Sequence, residues 1–391
     1  MREHLAHLLV DRLESTHMSC MRDHDNAWSF LGRTRAPFDD SSIRPFLHRK
    51  RILITGAAGF IGSALARSIS QLSVEHLLLL DIAESGLHEL ALDLDRDASD
   101  SHDLVVGDIC DAALLADIFK RHHPQIILHA AACKHVSLME DNPFAAARTN
   151  VSGTQQIAQA VNRFGADQLV LVSTDKAVAP VGIMGATKRI AELIVLANST
   201  ATQMKAVRLG NVLGSTGSVV PTLQRQIAQG GPITITDAAC TRFFHAIDEA
   251  VQRLLSALLL DGSSTLFVSD VDRPYHIVEL AQFLLKNAGL EYQSIEYRFT
   301  GLRPGEKLFE QMTSDEETLT TWSVSGLREV LHSPSPTRQQ LAAALKEIDA
   351  ACDTRDIVRL LQAITSVIPE YLPSACLQKQ IKDQAPERTT A

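Results

Sequence analysis

No two cysteines of this chain stand in a CxxC pair; the six, Cys20, Cys110, Cys133, Cys240, Cys352 and Cys376, are scattered. Neither a zinc site nor a disulfide framework is suggested, and the reducing cytosol is the natural compartment. No apolar run approaches the ~20 residues that cross a bilayer. The opening MREHLAHLLVDRLESTHMSC has charges where a signal peptide has its apolar centre, so neither secretion nor membrane insertion is expected. Basic residues are too few for a dedicated nucleic-acid binder: 37 Lys and Arg against 46 Asp and Glu leave a net charge of −9. An anionic ligand must then be held by local groups. With 45% hydrophobic and 21% charged residues, 20 Gly and 14 Pro in 391 residues, the chain is neither disordered, collagenous nor coiled coil as a whole. Its length sets a prior of two or three domains.

Residues 1–47 are polar and irregular apart from an amphipathic helix expected from Glu3 to Leu13, and read as an appendage. From Arg51 short apolar runs alternate with helical segments. The runs are RILIT, HLLLLD, DLVVGD, QIILHAAA, QLVLVST and MKAVRLG; between them SALARSISQL, AALLADIFKRH, VSGTQQIAQAVNRFG and ATKRIAELIVLAN carry apolar residues at helical spacing. This alternation predicts an α/β fold, a Rossmann-type doubly wound parallel sheet. After Gly214 the rhythm loosens, with helices expected at 248–260 and 277–289 and a strand at STLFVSD. The division that follows is a nucleotide-binding domain at 48–212, completed by 241–275, and a smaller interleaved substrate lobe at 213–240 and 276–330. A helical tail occupies 331–391, and its last residues, QKQIKDQAPERTTA, are expected to fray.

The first strand runs into Thr55-Gly56-Ala57-Ala58-Gly59-Phe60-Ile61-Gly62, a G-x-x-G-x-x-G turn opening a helix. Glycine there lets the backbone turn tightly and lets a pyrophosphate reach amide groups at a helix N-terminus. By itself such a turn is equally an ordinary strand-to-helix loop. Nineteen positions beyond Gly62, however, the second strand ends in Asp81, where a carboxylate accepts hydrogen bonds from ribose hydroxyls and repels a 2′-phosphate. NAD is favoured over NADP. Asp108 and Ile109 at the third strand end are placed for adenine, and the small side chains of Ala130, Ala131 and Ala132 at the fourth let a cofactor lie on the backbone.

The fifth strand ends in Thr174-Asp175-Lys176, followed by Met184-Gly185-Ala186-Thr187-Lys188. On these residues, with AACKHVSLMEDNP, TNVSGT, VRLGNVLGSTGSVVP, TRFFHAIDEAV and GLRPGEKLFEQM, residues 48–315 resemble the extended short-chain dehydrogenase/reductases. Within them, the resemblance is to the polysaccharide-biosynthesis type of UDP-N-acetylglucosamine 4,6-dehydratase. Most short-chain dehydrogenases pair Tyr with Lys at four-residue spacing on one helix face. Here the tyrosine position is Met184, which cannot exchange a proton. The resemblance is to the branch with Met-x-x-x-Lys, in which the product keeps its carbon-5 configuration.

That resemblance implies tightly bound NAD and a UDP-sugar substrate. In the implied reaction NAD takes a hydride from carbon 4, a base removes the hydrogen on carbon 5, an acid protonates the leaving 6-hydroxyl, and the hydride returns to carbon 6. Lys176 is the expected base, as a neutral amine favoured by burial and by the positive charges of Lys188 and the nicotinamide. Asp175 is the expected acid, Thr174 bonds the 4-hydroxyl, and Lys188 grips the nicotinamide ribose. Lys134, His135, Arg208, Asn211, Ser218, Val219, Arg242, Arg303 and Glu306 are expected around the sugar and diphosphate, with Glu306 equally an arginine partner that orders its loop. The helices Val151–Phe164 and Thr187–Asn198 are the usual pairing surface of the superfamily, which implies a homo-oligomer. Thr216, Cys133, Ala179 and Gly182 depart from the pattern near the sugar. Two other readings stay open: a nucleotide-sugar 4-epimerase, and a catalytically silent NAD-binding regulator or scaffold, for which Met184 is the main support.

Overall fold

A computed structural model describes residues 24–34, 40–95, 102–199, 201–321 and 325–384. The expected helix at 3–13, Cys20 and the last seven residues lie outside the described residues. The main sheet is built of β1 (Arg51–Thr55), β2 (His76–Asp81), β3 (His102–Val106), β4 (Ile126–His129), β5 (Gln168–Thr174), β6 (Gln203–Leu209), β7 (Ser264–Ser269), β8 (Thr318–Leu319) and β9 (Leu327–His332). Its order is β8-β9-β7-β6-β5-β4-β1-β2-β3. The seven strands from β3 across to β7 pair in parallel, and β9 closes the sheet antiparallel to β7. The order reverses between β1 and β4, and such a reversal leaves a crevice at the strand tips where α/β proteins bind their ligands.

Alternation along the strands sorts side chains to two cores. Ile52, Ile54, Leu77 and Leu79 point to one face, under the helices Phe60–Ser70 and Ile247–Leu259, while Leu53, Leu78, Leu80, Leu169 and Leu171 point to the other. Both faces are covered, so the strands read as continuous apolar runs. Local chemistry marks the helix ends. Asp111 accepts from the amides of Ala113 and Leu114 to start the Ala112–His122 helix, which ends on His123 in the left-handed region, φ 45°.

The helices His24–Leu31 and Ile43–Leu47 are packed, not appended. Ala27 and Leu31 of the helix His24–Leu31 lie in the core of the smaller lobe, beside Val220, Leu223 and Leu280. The Tyr275 hydroxyl donates to the Leu31 carbonyl (2.6 Å) and Arg33 pairs with Glu249 (3.0 Å). Ile43 and Leu47 enter the second core under the sheet. The reason this was hidden is that the segment is short and its apolar residues follow no period.

The tail also departs from expectation. Its start falls inside β9, and its helix divides into Arg338–Thr354 and Ile357–Val367 at Arg355, which adopts φ 54°. Of the stretch expected to fray, residues 378–384 instead lie in the helix Ala375–Gln384, and Leu377 just before them is fully buried. Ile348, Ile364 and Tyr371 share one core with Ile157, Val161, Ile190 and Ile194. The tail helices thus pack into the same core as the two helices expected to pair between copies. Among the described residues no helix is long and apolar enough to cross a membrane.

Because Ile364 is fully buried in this shared core, Ile364→Ala is expected to cost about 2–5 kcal/mol in urea unfolding. Leu372→Ala, at a residue 74% exposed, is expected to change stability by less than about 0.5 kcal/mol. Equal effects would mean that the tail is not part of the core.

Candidate active site

The crevice begins at the glycine-rich turn. A Cβ on Gly56 would lie 2.5 Å from the Ala131 amide nitrogen, and one on Gly62 would lie 2.0 Å from the Gly56 carbonyl oxygen. Neither position accepts a side chain, and Gly56 additionally has φ 70°. The turn presses onto Ala130-Ala131-Ala132, whose first amide donates to the Thr55 carbonyl (3.0 Å). Gly59 caps the helix that starts at Phe60 and Ile61. Asp81 is joined to this turn, since its carboxylate accepts from the amides of Ala58 and Ala83, both at 2.9 Å. Asp108 folds its own loop by accepting from the Cys110 amide (2.8 Å), and Ile109 is buried against Gly153.

At the tip of β5, Asp175 is fully buried. Its Oδ1 accepts from the Thr174 hydroxyl and from Lys176 Nζ, each at 2.9 Å, and its Oδ2 has no partner among the described residues. Lys176 Nζ also donates to Asn211 Oδ1 (2.7 Å). The cleft beside this amine is lined by Met184, Val136, Val181, Lys307 and Glu310. Gly185 is required here, because a Cβ would meet the Lys176 carbonyl oxygen at 2.2 Å. That contact seats the Ile183–Asn198 helix against the strand tip.

Behind the cleft lies a dry polar frame. Thr154 donates to the Asn150 carbonyl (2.7 Å), so it accepts from His129 Nε2 (3.0 Å), and His129 Nδ1 accepts from the Thr55 hydroxyl (2.6 Å). Burial, with the nearby Lys188 charge, lowers the His129 pKa to about 3. Asn150 joins the β4 loop to the helix, accepting from the Cys133 amide (2.8 Å) and donating to Thr187 (3.0 Å). Lys188 donates to the Val172 carbonyl (2.8 Å), and burial, opposed by Glu192, lowers its pKa to about 8. Glu140 is buried, takes the Ile183 amide (2.7 Å), and accepts from Ser374 of the tail. Burial raises its pKa despite these bonds.

Comparison with known proteins gives the lineage. Residues 52–330 match the model of the family described as "Polysaccharide biosynthesis protein". The chain belongs to the polysaccharide biosynthesis protein family. It is 39% identical over 296 residues to the "Probable polysaccharide biosynthesis protein EpsC" of Bacillus subtilis, covering 74% of this chain and 49% of that one. It therefore spans about half the length of that relative. A "UDP-N-acetylglucosamine 4,6-dehydratase (inverting)" of Campylobacter jejuni is 31% identical over 280 residues, 70% of this chain and 80% of its own. Among solved structures, Pen from Bacillus thuringiensis superposes with a TM-score of 0.67 at 26% identity, over 73% of this chain and 89% of its own.

The expected substrate residues of this family member divide. Lys134 and His135 are exposed at the lip after β4, and His135 lies over Gly217, whose Cβ would meet its ring at 2.5 Å. Ser218 and Val219 open the Val219–Ala228 helix, with the Ser218 hydroxyl buried and unpartnered among the described residues. Arg242 donates to the Thr241 and Leu308 carbonyls (2.7 and 3.3 Å). Glu306 accepts from the Arg303 amide (3.2 Å), which orders that loop through the backbone, and leaves Arg303 exposed. Asn211 is a partner of Lys176. Arg208 is corrected: it is 1% exposed and spent on Glu192 (2.8 and 2.9 Å) and Glu317 (2.6 and 2.9 Å), which leaves no donor for a phosphate.

His129, Glu140, Asn150, Lys307 and Glu310 escaped the sequence reading. Lys307 donates to the Val178 carbonyl (2.6 Å) and stands 3.7 Å from Glu310, and burial leads the causes that lower its pKa. Its place in RPGEK was the available signal.

His129 yields an acid-stability prediction. It protonates near pH 6.5 when unfolded and near 3 when folded, so the unfolded chain binds more protons in between, and stability falls as pH drops from 6.5. Glu192, held down at about 2 by Arg208 and Arg189 against its burial, adds its own loss only below 4.5. Between pH 6.5 and 4.5, His129→Gln is expected to flatten the stability curve by up to about 1.4 kcal/mol per pH unit. Parallel curves for the two proteins in chemical denaturation would refute the assignment.

Proposed function

We propose that the chain is an NAD-dependent 4,6-dehydratase acting on UDP-N-acetylglucosamine or a close UDP-sugar, and that it yields a 4-keto-6-deoxy sugar nucleotide for surface polysaccharide or glycan synthesis. The observation that carries this reading is the Thr174-Asp175-Lys176 cluster, a buried carboxylate and an amine joined by one hydrogen bond beside the thioether of Met184. A dinucleotide fits the residues present. Gly56, Gly59 and Gly62 leave backbone where a pyrophosphate needs it, Asp81 offers its carboxylate to a ribose, and Ile109 and the small Ala130-Ala131-Ala132 run flank the path. NAD, when bound, supplies a hydride acceptor for carbon 4 and the donor that later reduces carbon 6.

The protein's own part is proton movement. One proton crossing from Lys176 Nζ to Asp175 Oδ1 converts an ion pair into a neutral amine and a carboxylic acid, a base and an acid made together. In this reading the Lys176 amine takes the carbon-5 hydrogen, acidified by the ketone at carbon 4. Asp175 protonates the departing 6-hydroxyl as water, Thr174 holds the 4-oxygen and passes its proton to solvent, and the Lys176 ammonium returns a solvent-exchanged proton to carbon 5 once carbon 6 is reduced. Met184 closes the cleft without offering a competing proton, in keeping with an outcome that retains carbon-5 configuration. Lys188, anchored on the Val172 carbonyl (2.8 Å), holds the nicotinamide ribose. Lys134 and His135 face the sugar, while Arg242, Arg303 and the amides at Ser218 and Val219 receive the diphosphate.

Purified protein with UDP-N-acetylglucosamine in heavy water is expected to release a 4-keto-6-deoxy sugar carrying solvent deuterium at carbon 5, read by proton NMR. Lys176→Ala and Asp175→Asn are each expected to lower turnover about 10²–10⁴-fold with NAD retained. Product without deuterium at carbon 5, or full turnover by Lys176→Ala, would overturn the mechanism.

A further inference from the structure

At the opposite end of the sheet from the crevice, three side chains converge. His76 starts β2, Asp103 is the second residue of β3, and His122 ends the Ala112–His122 helix. His76 Nε2 lies 2.8 Å and His122 Nδ1 3.5 Å from the same atom, Asp103 Oδ2. The two imidazoles are stacked 5.7 Å apart with planes 4° from parallel. One donor atom from each residue falls within 4.8 Å of the others, the single such set of three His, Cys, Asp or Glu side chains among the described residues.

We propose that His76, Asp103 and His122 bind a divalent transition-metal ion, with zinc as the working case. A carboxylate oxygen accepting from one imidazole N–H explains the 2.8 Å contact. It does not explain why a second ring stacks in parallel and turns its nitrogen to the same oxygen from a distance too long for a good hydrogen bond. A cation between them uses the lone pairs of both rings and the oxygen at once. Metal–ligand bonds of about 2.0–2.2 Å put neighbouring donors roughly 3.3–3.6 Å apart in a tetrahedral site, which the observed spread reaches by side-chain rotation alone. Two imidazoles and one carboxylate suit zinc, copper(II) or nickel(II) over magnesium or calcium, which prefer oxygen ligands.

The position defines what the ion does. β3 is the free edge of the parallel sheet, and the three ligands come from β2, β3 and the helix that follows β3. Bound metal staples the edge strand to its neighbour and to its crossover helix. His76 and Asp81 sit at opposite ends of the same strand, about 16 Å apart at roughly 3.3 Å per residue, so the ion is structural and stands away from the reacting sugar.

The test uses the full chain without a histidine tag, titrated with zinc against a chromophoric chelator, alongside a His76→Ala/His122→Ala variant and Asp103→Asn. The wild type is expected to take up one more tight equivalent than the double variant, and Asp103→Asn to weaken that equivalent at least tenfold. Saturating zinc is expected to raise the wild-type melting temperature by several degrees and leave the double variant unmoved. Copper(II) in place of zinc is expected to give a paramagnetic spectrum with coupling to two imidazole nitrogens, reduced to one in His122→Gln. Equal zinc uptake by wild type and variants, or equal thermal response, would overturn the proposal.

Discussion

The buried carboxylate of Glu192 holds the elements around the β5 tip in register. It is fully buried and accepts from Arg208, Arg189 and Ser173. An unpaired charge in that place would be ruinous, and two guanidiniums plus a hydroxyl compensate its lost hydration. Ser173 immediately precedes Thr174, Arg208 leads along β6 towards Asn211, and Glu192 stands one helical turn beyond Lys188. A single carboxylate therefore ties together the strand tip that carries Thr174, Asp175 and Lys176, the segment leading to Asn211, and the helix that carries Lys188. Glu317 and Ser333, which flank β8 and β9, extend the network to the closing antiparallel edge of the sheet.

The lobe-side wall has a different character. Lys307 and Glu310 face Lys176 across the cleft, and Leu302 and Phe309 stand exposed near them. The RPGEK loop brings both a buried charge and apolar side chains to the opening. Gly305 is pinned against Glu140, whose Oε1 a Cβ would meet at 2.8 Å. The RPGEK loop, the Ile183–Asn198 helix and the tail thus touch one acidic side chain from three directions.

The parallel sheet was readable because strand and helix periods agree with one another from Arg51 onwards, and the strand tips named themselves through glycines, Asp81 and the Thr-Asp-Lys run. What could not be read depended on distance in sequence. Arg208 sits in a family-like segment and looked like a phosphate ligand; only the fold brings Glu192 and Glu317 to it from 16 and 109 residues away. Glu140 lies in a run where any acidic residue passes as solvated surface, and its partners Ile183 and Ser374 are equally remote. Residues 24–47 have too few apolar positions to show a period, yet Ala27, Leu31, Ile43 and Leu47 are buried in existing cores. The three donors of the His76 cluster are spread over 46 positions with no recognisable spacing, and topology alone unites them.

Glu140 has a consequence for how the molecule is made. Its carboxylate orders the start of the Ile183–Asn198 helix, yet one of its partners is Ser374 and its backbone carbonyl is met by Gln380 (3.0 Å). Every residue of the Thr174-Asp175-Lys176 cluster precedes these two contacts in the chain, so a truncation before Ser374 would keep the cluster and take away both.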